Sequence, residues 1–514
     1  MKKFGIITLI ILLAAGLALT AGTGALARDT VRIAIQTEPS RLNPVTREDT
    51  EAGMVLSMIH DPLVELDSQG NYVSEGALAE SFEVSEDGTV YTFRIREGVT
   101  FHNGDKLTAE DVKFSYEQYR DEEMGSPHHS YYQGIEELEL VDEYTLRVHL
   151  SSPDVAFLTM ARLRGHVMPK NYIEEVGWEE FERNPVGSGP YKFVYHHSGS
   201  YIELERFDDY WHHVAEIPNL EYRFYPEIST AVMALEAKQI DFIAELPADE
   251  YNSLRNKPDV GLNFGSYEIF QDHRIAFNKR DDSIFSDVKL RQAVAYAINR
   301  EELIALTRGD LAVPAVGRVP FFHAAHAPDA PAYEYNPERA RELLAEAGYP
   351  DGFETAIYAP SGYRERVMEA EQIQQQLAQV GIDVEVVTLE WGTYLDVTGE
   401  GEAPMFRERW SATAPDPFSF IEQWHSESSW NPIFGAYYNE QVDELIDEIR
   451  ITTDTERRWE LFRDVQRIAM EEAACYPLYW PIDGLAYNDE VYIPEDLFND
   501  FRGPISHINL WSFQ

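Results

Sequence analysis

Cysteine is almost missing from this chain: Cys475 is the only one in 514 residues, so no intrachain disulfide can staple the fold. Lysine is scarce as well, with ten residues against 32 arginines and none after Lys289. Lys and Arg together number 42 against 90 Asp and Glu, a net charge of −48. A surface so acidic repels phosphate, which excludes nucleic acid as an electrostatic partner and argues against docking on anionic lipid. After residue 19 no apolar run is long enough to cross a bilayer. Internal repeats, low-complexity tracts and linker-like stretches are absent too. Domains must therefore be joined by short crossings of packed chain, not by a flexible tether.

Most catalytic signatures are also lacking. There is no phosphate-cradling G-x-x-x-x-G-K-[ST], no H-E-x-x-H and no G-x-S-x-G. Ser286-Asp287-Val288-Lys289 fits S-x-x-K, but its S-D-N and K-T-G partners are missing, and it reads as the cap of the helix that follows. Histidines fall in three adjacent pairs, His128-His129, His196-His197 and His212-His213. Neighbours on a strand point to opposite faces, so scattered surface histidine is expected and not a shared metal site. The expectation is a protein that is not an enzyme and has no resident cofactor or metal. A secreted hydrolase is the rival class, because 90 acids make close carboxylate pairs unavoidable.

What is present is ample apolar surface. With 44% hydrophobic residues the chain can bury large cores, so the acid belongs to the surface and not to disorder. At ~150 residues per domain the length suggests about three domains. Dispersed carboxylates with few lysines match surfaces adapted to high salt better than surfaces adapted to heat, which enrich lysine along with glutamate. The N-terminus has a basic head (Met1, Lys2, Lys3), an apolar stretch over residues 6–19 and Ala25-Leu26-Ala27. That is the pattern of a secretory signal cleaved after Ala27. No cysteine stands near that site, so a lipoprotein anchor is not expected, and the mature protein should be free in the periplasm.

The element pattern is mixed α/β. Residues 31–35 alternate as a strand, and 82–84 and 91–95 flank Glu86-Asp87-Gly88 as a hairpin. Thr108 starts a helix to about residue 119 with Asp111 at the capping-box position. Asn336 caps a helix with Pro337 at its first position and Gly348 past its end. Further helices are predicted over 364–380, from Asn439, and over 455–474, with a strand over 382–386.

Several segments together resemble the extracellular solute-binding proteins of family 5, which serve peptide, nickel and opine ABC importers. The densest runs from Leu78-Ala79-Glu80-Ser81-Phe82 through Asp87-Gly88-Thr89 and Phe101-His102-Asn103-Gly104 to Thr108-Ala109-Glu110-Asp111-Val112. Farther on come Pro185-Val186-Gly187-Ser188-Gly189-Pro190-Tyr191, Asp209-Tyr210-Trp211, Arg291-Gln292-Ala293, Asp416-Pro417 and Pro477-Leu478-Tyr479-Trp480. The resemblance implies an α/β, bilobed periplasmic-binding-protein fold of type II with an extra third domain, its lobes joined by hinge strands. It implies residues 28–55, 184–270 and 487–514 as lobe I, 56–183 as the extra domain and 271–486 as lobe II. The implied partners are a small-molecule or peptide ligand and a membrane permease with a separate ATPase, the protein itself acting as a monomer.

Peptide-type members hold the ligand's amino group with an aspartate shortly after a tryptophan in the second lobe. Here Thr413 occupies that place, counted from Trp410. A hydroxyl offsets little of the cost of burying an ammonium, so the case for an ordinary free-amine peptide is weakened. Asp416 is the substitute, unless it is a turn residue leading into Pro417. Arg407 stands where some oligopeptide-type members carry an arginine for the ligand's carboxylate, a charge-assisted fork, and otherwise balances surface acid. Glu38 and Ser40 follow the first strand and should lie near the cleft mouth. Trp391, Trp410, Trp424 and Trp430 sit in loop-rich sequence where a ring could stack on ligand. The expected ligand is a peptide or oligopeptide, with an oligosaccharide, an opine-like compound or a nickel complex as alternatives.

The charge pattern gives a prediction. At ~1 M salt the Debye length falls to ~3 Å and carboxylate repulsion is screened. The melting temperature should therefore rise steeply with NaCl, and a salt-independent melt followed by circular dichroism would remove the high-salt reading of the surface.

Overall fold

Alternating apolar residues make Thr30–Ile35 a strand with Val31, Ile33 and Ile35 in a core. It runs parallel to both Asn219–Phe224 and Phe242–Leu246, with Ile33 opposite Tyr222 on one side and Phe242 on the other. The computed structural model in which this is seen describes residues 28–514 except 48, 68–71, 155–156, 164, 258–259, 413–415, 453 and 501–502. The expected signal segment at 1–27 and Thr413 lie outside the described residues. A parallel pair needs a crossover, and the helix Ile228–Glu236 supplies it between the second and third of these strands. Antiparallel strands Tyr201–Arg206 and Tyr191–His197 extend the sheet outward.

A second sheet is built on the same logic. Phe353–Pro360 runs parallel to Ile382–Leu389 and to Met405–Ser411, with the helix Arg364–Ala378 as one crossover. Gln271–Phe277 then pairs antiparallel to Met405–Ser411. One long strand, Cys475–Asn488, belongs to both sheets. Its first half pairs with His273–Ala276 of the second sheet, and its second half pairs with Phe242–Leu246 and Leu262–Glu268 of the first. The chain also passes between the sheets in the short link from Leu262–Glu268 to Gln271–Phe277. The lobes are thus joined by two strand crossings and no tether.

Separate cores accompany the sheets. Val31, Leu56, Leu220, Phe242 and Trp511 pack together in the first lobe. Ile275, Val294, Leu343, Ile357 and Ile373 pack in the second, beside a helical cluster around Val442, Leu461 and Val465. A third core, from Val45 to Phe181, surrounds a four-stranded antiparallel sheet ordered Ala79–Val84, Val90–Ile95, Thr145–Leu150 and Ile135–Asp142. The division expected near residue 55 falls inside the helix Thr50–Ile59, whose buried Ala52, Val55, Leu56, Met58 and Ile59 all join the first-lobe core. Among the described residues no helix is long and apolar enough to cross a membrane.

Local chemistry explains the helix starts. Thr108 and Asp111 form the capping box of Ala109–Arg120, Asp111 Oδ2 accepting from the Thr108 N–H at 2.9 Å. Asn336 caps Pro337–Glu346, Asn439 caps Glu440–Ile451 and Asp454 caps Thr455–Glu471. That last helix ends earlier than its pattern predicts, because Ala473 takes a left-handed conformation (φ 44°) that turns the chain into the crossing strand. Asp287 caps Val288–Ala297, accepting from Lys289 N at 2.8 Å, so the S-x-x-K segment is a helix start. Trp391 is not in a loop but opens the helix Trp391–Glu400, capped by Glu390.

The Pro185–Tyr191 motif seals the joint between the first lobe and the extra domain. Gly189 N–H donates to Ile59 O at 2.8 Å, and His102 N–H donates to Gly187 O at 2.8 Å. A Cβ on Gly187 would collide with the Ile59 carbonyl and come within 2.7 Å of His60 Nδ1. Gly187→Ala should therefore destabilise by ~1–3 kcal/mol through overpacking, read as a lower denaturant midpoint.

Candidate ligand-binding site

The crossing strand forms the floor of a cleft between the lobes. Cys475–Asn488 is buried throughout except at Ile482 and Asp483, where it changes sheets. The Asp483 carboxyl makes no hydrogen bond or ion pair among the described residues, while its backbone lies opposite Tyr267 in the ladder. Burial pushes its carboxyl up to about 7, Glu245 adding to the rise while Arg308 and Arg409 oppose it. Glu245 stands in the first-lobe strand Phe242–Leu246. Water reaches this side chain, yet the close cleft walls raise its pKa by desolvation, Glu51 adds repulsion, and Arg409 of the second lobe opposes.

Beside Glu245 the first lobe opens a cavity of about 240 Å³, lined by Ile35, Gln36, Glu51, Met54 and Ile243 among others. It lies at the carboxyl ends of the parallel strands Thr30–Ile35 and Phe242–Leu246, where open α/β sheets place their ligands.

The facing wall carries the opposite charge. Four guanidiniums surround His273, whose pKa is held well below the usual value by burial and then by Arg407, Arg308, Arg366 and Arg409. One of the four is neutralised. Arg407 is fully buried and donates to Glu369 through Nε (3.2 Å) and Nη2, while its Nη1 donates to Arg274 O. Glu369 also accepts from Tyr479 OH, which shares a 2.7 Å hydrogen bond with His273 Nδ1.

The other three arginines have no carboxylate partner within ion-pair distance among the described residues. Arg366 is only 2% exposed, yet its Nε and Nη1 have no hydrogen-bond partner. It lies over the Tyr363 ring at 4.2 Å and the Trp391 ring at 5.8 Å. Arg409 lies over Tyr363 at 5.3 Å, and Arg308 lies over Tyr479 at 5.7 Å with its Nε buried and unpartnered. Aromatic faces hold these cations without neutralising them. A buried donor left unpaired costs ~1–3 kcal/mol, so the wall is primed for an anionic acceptor. The arrangement can bind a dipolar molecule, carboxylate against the arginines and cation against the acids.

The residues expected from sequence are scattered around this site. Arg407 lies one turn of the pleat from Arg409 on the same strand, but its fork is spent on Glu369. Asp416 is in a forked ion pair with Arg458 (2.7 and 3.2 Å) and accepts from Phe418 N, so it is the turn residue of its loop. Glu38 accepts from Ser198 Oγ and Gly199 N on the Tyr191–Arg206 hairpin and lies 2.8 Å from His196 Nε2. Ser40 donates to Asp49, the cap of the Thr50–Ile59 helix. Trp410 is half-buried, edge-on to Trp430 (5.2 Å) and Phe434 (5.6 Å), with its Nε1 buried and unpartnered. Trp424 is core. Among the described residues no group of His, Cys, Asp and Glu could hold a metal, and His196, His197 and His129 lie beside single glutamates. Arg308, Arg366, Arg409, Glu245 and Asp483 were missed, since nothing around each marks it off: Arg366 and Arg409 follow Glu365 and Glu408 like ordinary surface charges.

Two α/β lobes around a cleft, joined by paired strand crossings, define a solute-binding protein. Residues 74–432 match the family described as bacterial extracellular solute-binding proteins, family 5 Middle, and the chain belongs to that family. It is 29% identical over 471 residues to the glutathione-binding protein GsiB of Shigella flexneri, covering 90% of each chain. Among solved structures it resembles HbpA2 from Haemophilus parasuis, with a TM-score of 0.83 and 26% identity over 94% of this chain and 100% of that one. It also resembles DppA from Helicobacter pylori in complex with the peptide STSA, with a TM-score of 0.75 and 27% identity over 94% and 98%. GsiB and DppA are named as binding proteins.

The two arginines of the strand make a paired test. Arg407→Ala strands a buried carboxylate and should destabilise by ~3–5 kcal/mol, whereas Arg409→Ala should stay within ~0.5 kcal/mol. Urea unfolding of both variants checks this.

Proposed function

We propose that this chain captures a peptide or oligopeptide in the inter-lobe cleft and delivers it to an ABC permease. It does so as a secreted, signal-cleaved periplasmic monomer. The proposal assigns residues 28–55, 184–270 and 487–514 to lobe I, 56–183 to the extra domain and 271–486 to lobe II, with two corrections: the helix Thr50–Ile59 belongs whole to lobe I, and the strand Cys475–Asn488 is in lobe I from Gly484 onward. The observation that carries the ligand class is the opposition of three unneutralised arginines (Arg308, Arg366, Arg409) to Glu51, Glu245 and Asp483. A peptide is a dipolar chain with a carboxylate at one end, and two relatives, one named for glutathione and one solved with STSA, bind peptides, while others are solved with a nickel–histidine complex and with agropinic acid. Trp410 supplies an aromatic edge beside this wall. Of the other residues singled out from sequence, Thr413 bears on the proposal only as an uncharged position in the family's pattern. Glu38, Ser40, Arg407 and Asp416 support the walls.

Capture works through the hinge. A ligand touching both lobes favours the closed state by its difference in affinity for closed and open forms. The permease then reads closure.

The test is native mass spectrometry of the protein purified in high salt, with tandem sequencing of what co-purifies. A peptide is expected. By calorimetry, Arg409→Ala should weaken its binding ~10- to 100-fold, the worth of one charge-assisted hydrogen bond of ~1.5–3 kcal/mol. A co-purifying sugar or metal complex, or a ligand recovered chemically altered, would count against the proposal.

A further inference from the structure

We propose that the ligand lies across the cleft with a cationic, hydrocarbon-bearing end in the first-lobe cavity and its carboxylates on the arginines of the second lobe. This moves the ammonium from the second lobe, where the family pattern places the amino group, to the first, and it rests on the peptide reading above.

The cavity has the right chemistry. Its volume of about 240 Å³ far exceeds the ~10–15 Å³ that one water needs. Ala34, Ile35, Met54, Ile243 and Ala244 supply apolar wall, and Glu51 and Glu245 supply the charge. Neither glutamate makes an ion pair or accepts a hydrogen bond among the described residues. The helices Thr50–Ile59 and Ile228–Glu236 both begin here, each contributing about half a positive charge at its start. Two full carboxylate charges outweigh them, so the cavity stays net negative. A hydrocarbon body with an ammonium on it fits such a lining. A carboxylate would be repelled.

The opposite wall fixes the other end. Arg366 is nine-tenths buried or more with two unpartnered N–H groups, and the charge of Arg409 is felt by both Arg366 and Glu245. Of the three acids buried in this lobe, two are engaged by arginine, Asp272 by Arg274 at 2.5 Å and Arg318 at 2.8 Å and Glu369 by Arg407. Glu408, the counter-charge acting most strongly on Arg366, makes no ion pair with it and accepts from Tyr394 OH and Arg409 N. Position 413 carries a hydroxyl and no charge. A peptide bound the other way would put its ammonium among three guanidiniums and its carboxylate on two glutamates, repulsive at both ends.

The experiment compares the tripeptide Leu-Ala-Glu with its N-acetylated form, which keeps every group except the ammonium. Binding to the full-length mature protein is read by calorimetry in high salt. The free amine should bind at least ten-fold tighter than the acetylated form. In the double variant Glu51→Gln, Glu245→Gln the two forms should bind within about two-fold of each other, while Arg409→Ala should weaken both alike. Equal binding of both forms to the wild type, with both still dependent on Arg409, overturns the orientation and leaves the peptide reading standing. Discrimination that survives in the double glutamine variant overturns it too. No binding of either form, or binding indifferent to both Arg409→Ala and Arg366→Ala, overturns the orientation together with the reading beneath it.

Discussion

Glu369 is the carboxylate on which the cleft depends. It sits at zero exposure, grips Arg407, and accepts the hydroxyl of Tyr479, which in turn bonds the ring of His273. This chain of contacts ties three strands of the second lobe together, since Arg407, His273 and Tyr479 come from three different strands. It also neutralises one guanidinium of four. In a protein of net charge −48, carboxylates are plentiful, and most surface arginines have found one. Arg308, Arg366 and Arg409 have no carboxylate within ion-pair distance among the described residues, and aromatic rings lie beside them instead.

The same strand that supplies Tyr479 runs on through Asp483 into the other lobe. Floor and hinge are therefore one piece of backbone. Its burial elsewhere keeps each half fixed to its own sheet, and the chain passes between the lobes only at Ile482 and Asp483 and at the link before Gln271. Charge on one wall acts across this point on the other, as the influence of Arg409 on both Glu245 and Asp483 shows. Closure and ligand charge are then linked, because moving the walls together changes how strongly each group feels its opposite.

Much of the fold was legible from local chemistry. The Thr108–Asp111 box, the Asn336 and Asn439 caps and the 79–95 hairpin could be read because each signal lies within a few residues. The absence of linkers foretold crossing strands. The site was not legible in the same way. Arg409 lies only two residues beyond Arg407 on the same face, about 7 Å farther along the strand. That step moves a guanidinium from a spent buried pair opposite Ile275 to the cleft wall opposite His273. Nothing in the local sequence marks where the strand emerges from the core. Asp416 shows the reverse case: its partner, Arg458, is 42 residues away, so an aspartate that looks available is engaged. The cavity depended on two strand ends and two helix starts meeting, which no single segment announces.

Opposed walls of opposite charge also bear on specificity. Without ligand, Arg409 and the acids across the cleft attract each other through water, and a ligand must improve on that attraction to favour closure. A neutral molecule of similar shape would close the walls over guanidiniums it cannot pair, leaving each at the cost of an uncompensated buried charge. A molecule with a single negative charge would satisfy the second lobe and leave Glu51 and Glu245 facing it. Only a dipole spanning the gap in the right sense satisfies both, so discrimination comes from what the wrong ligand leaves unpaired more than from what the right one gains.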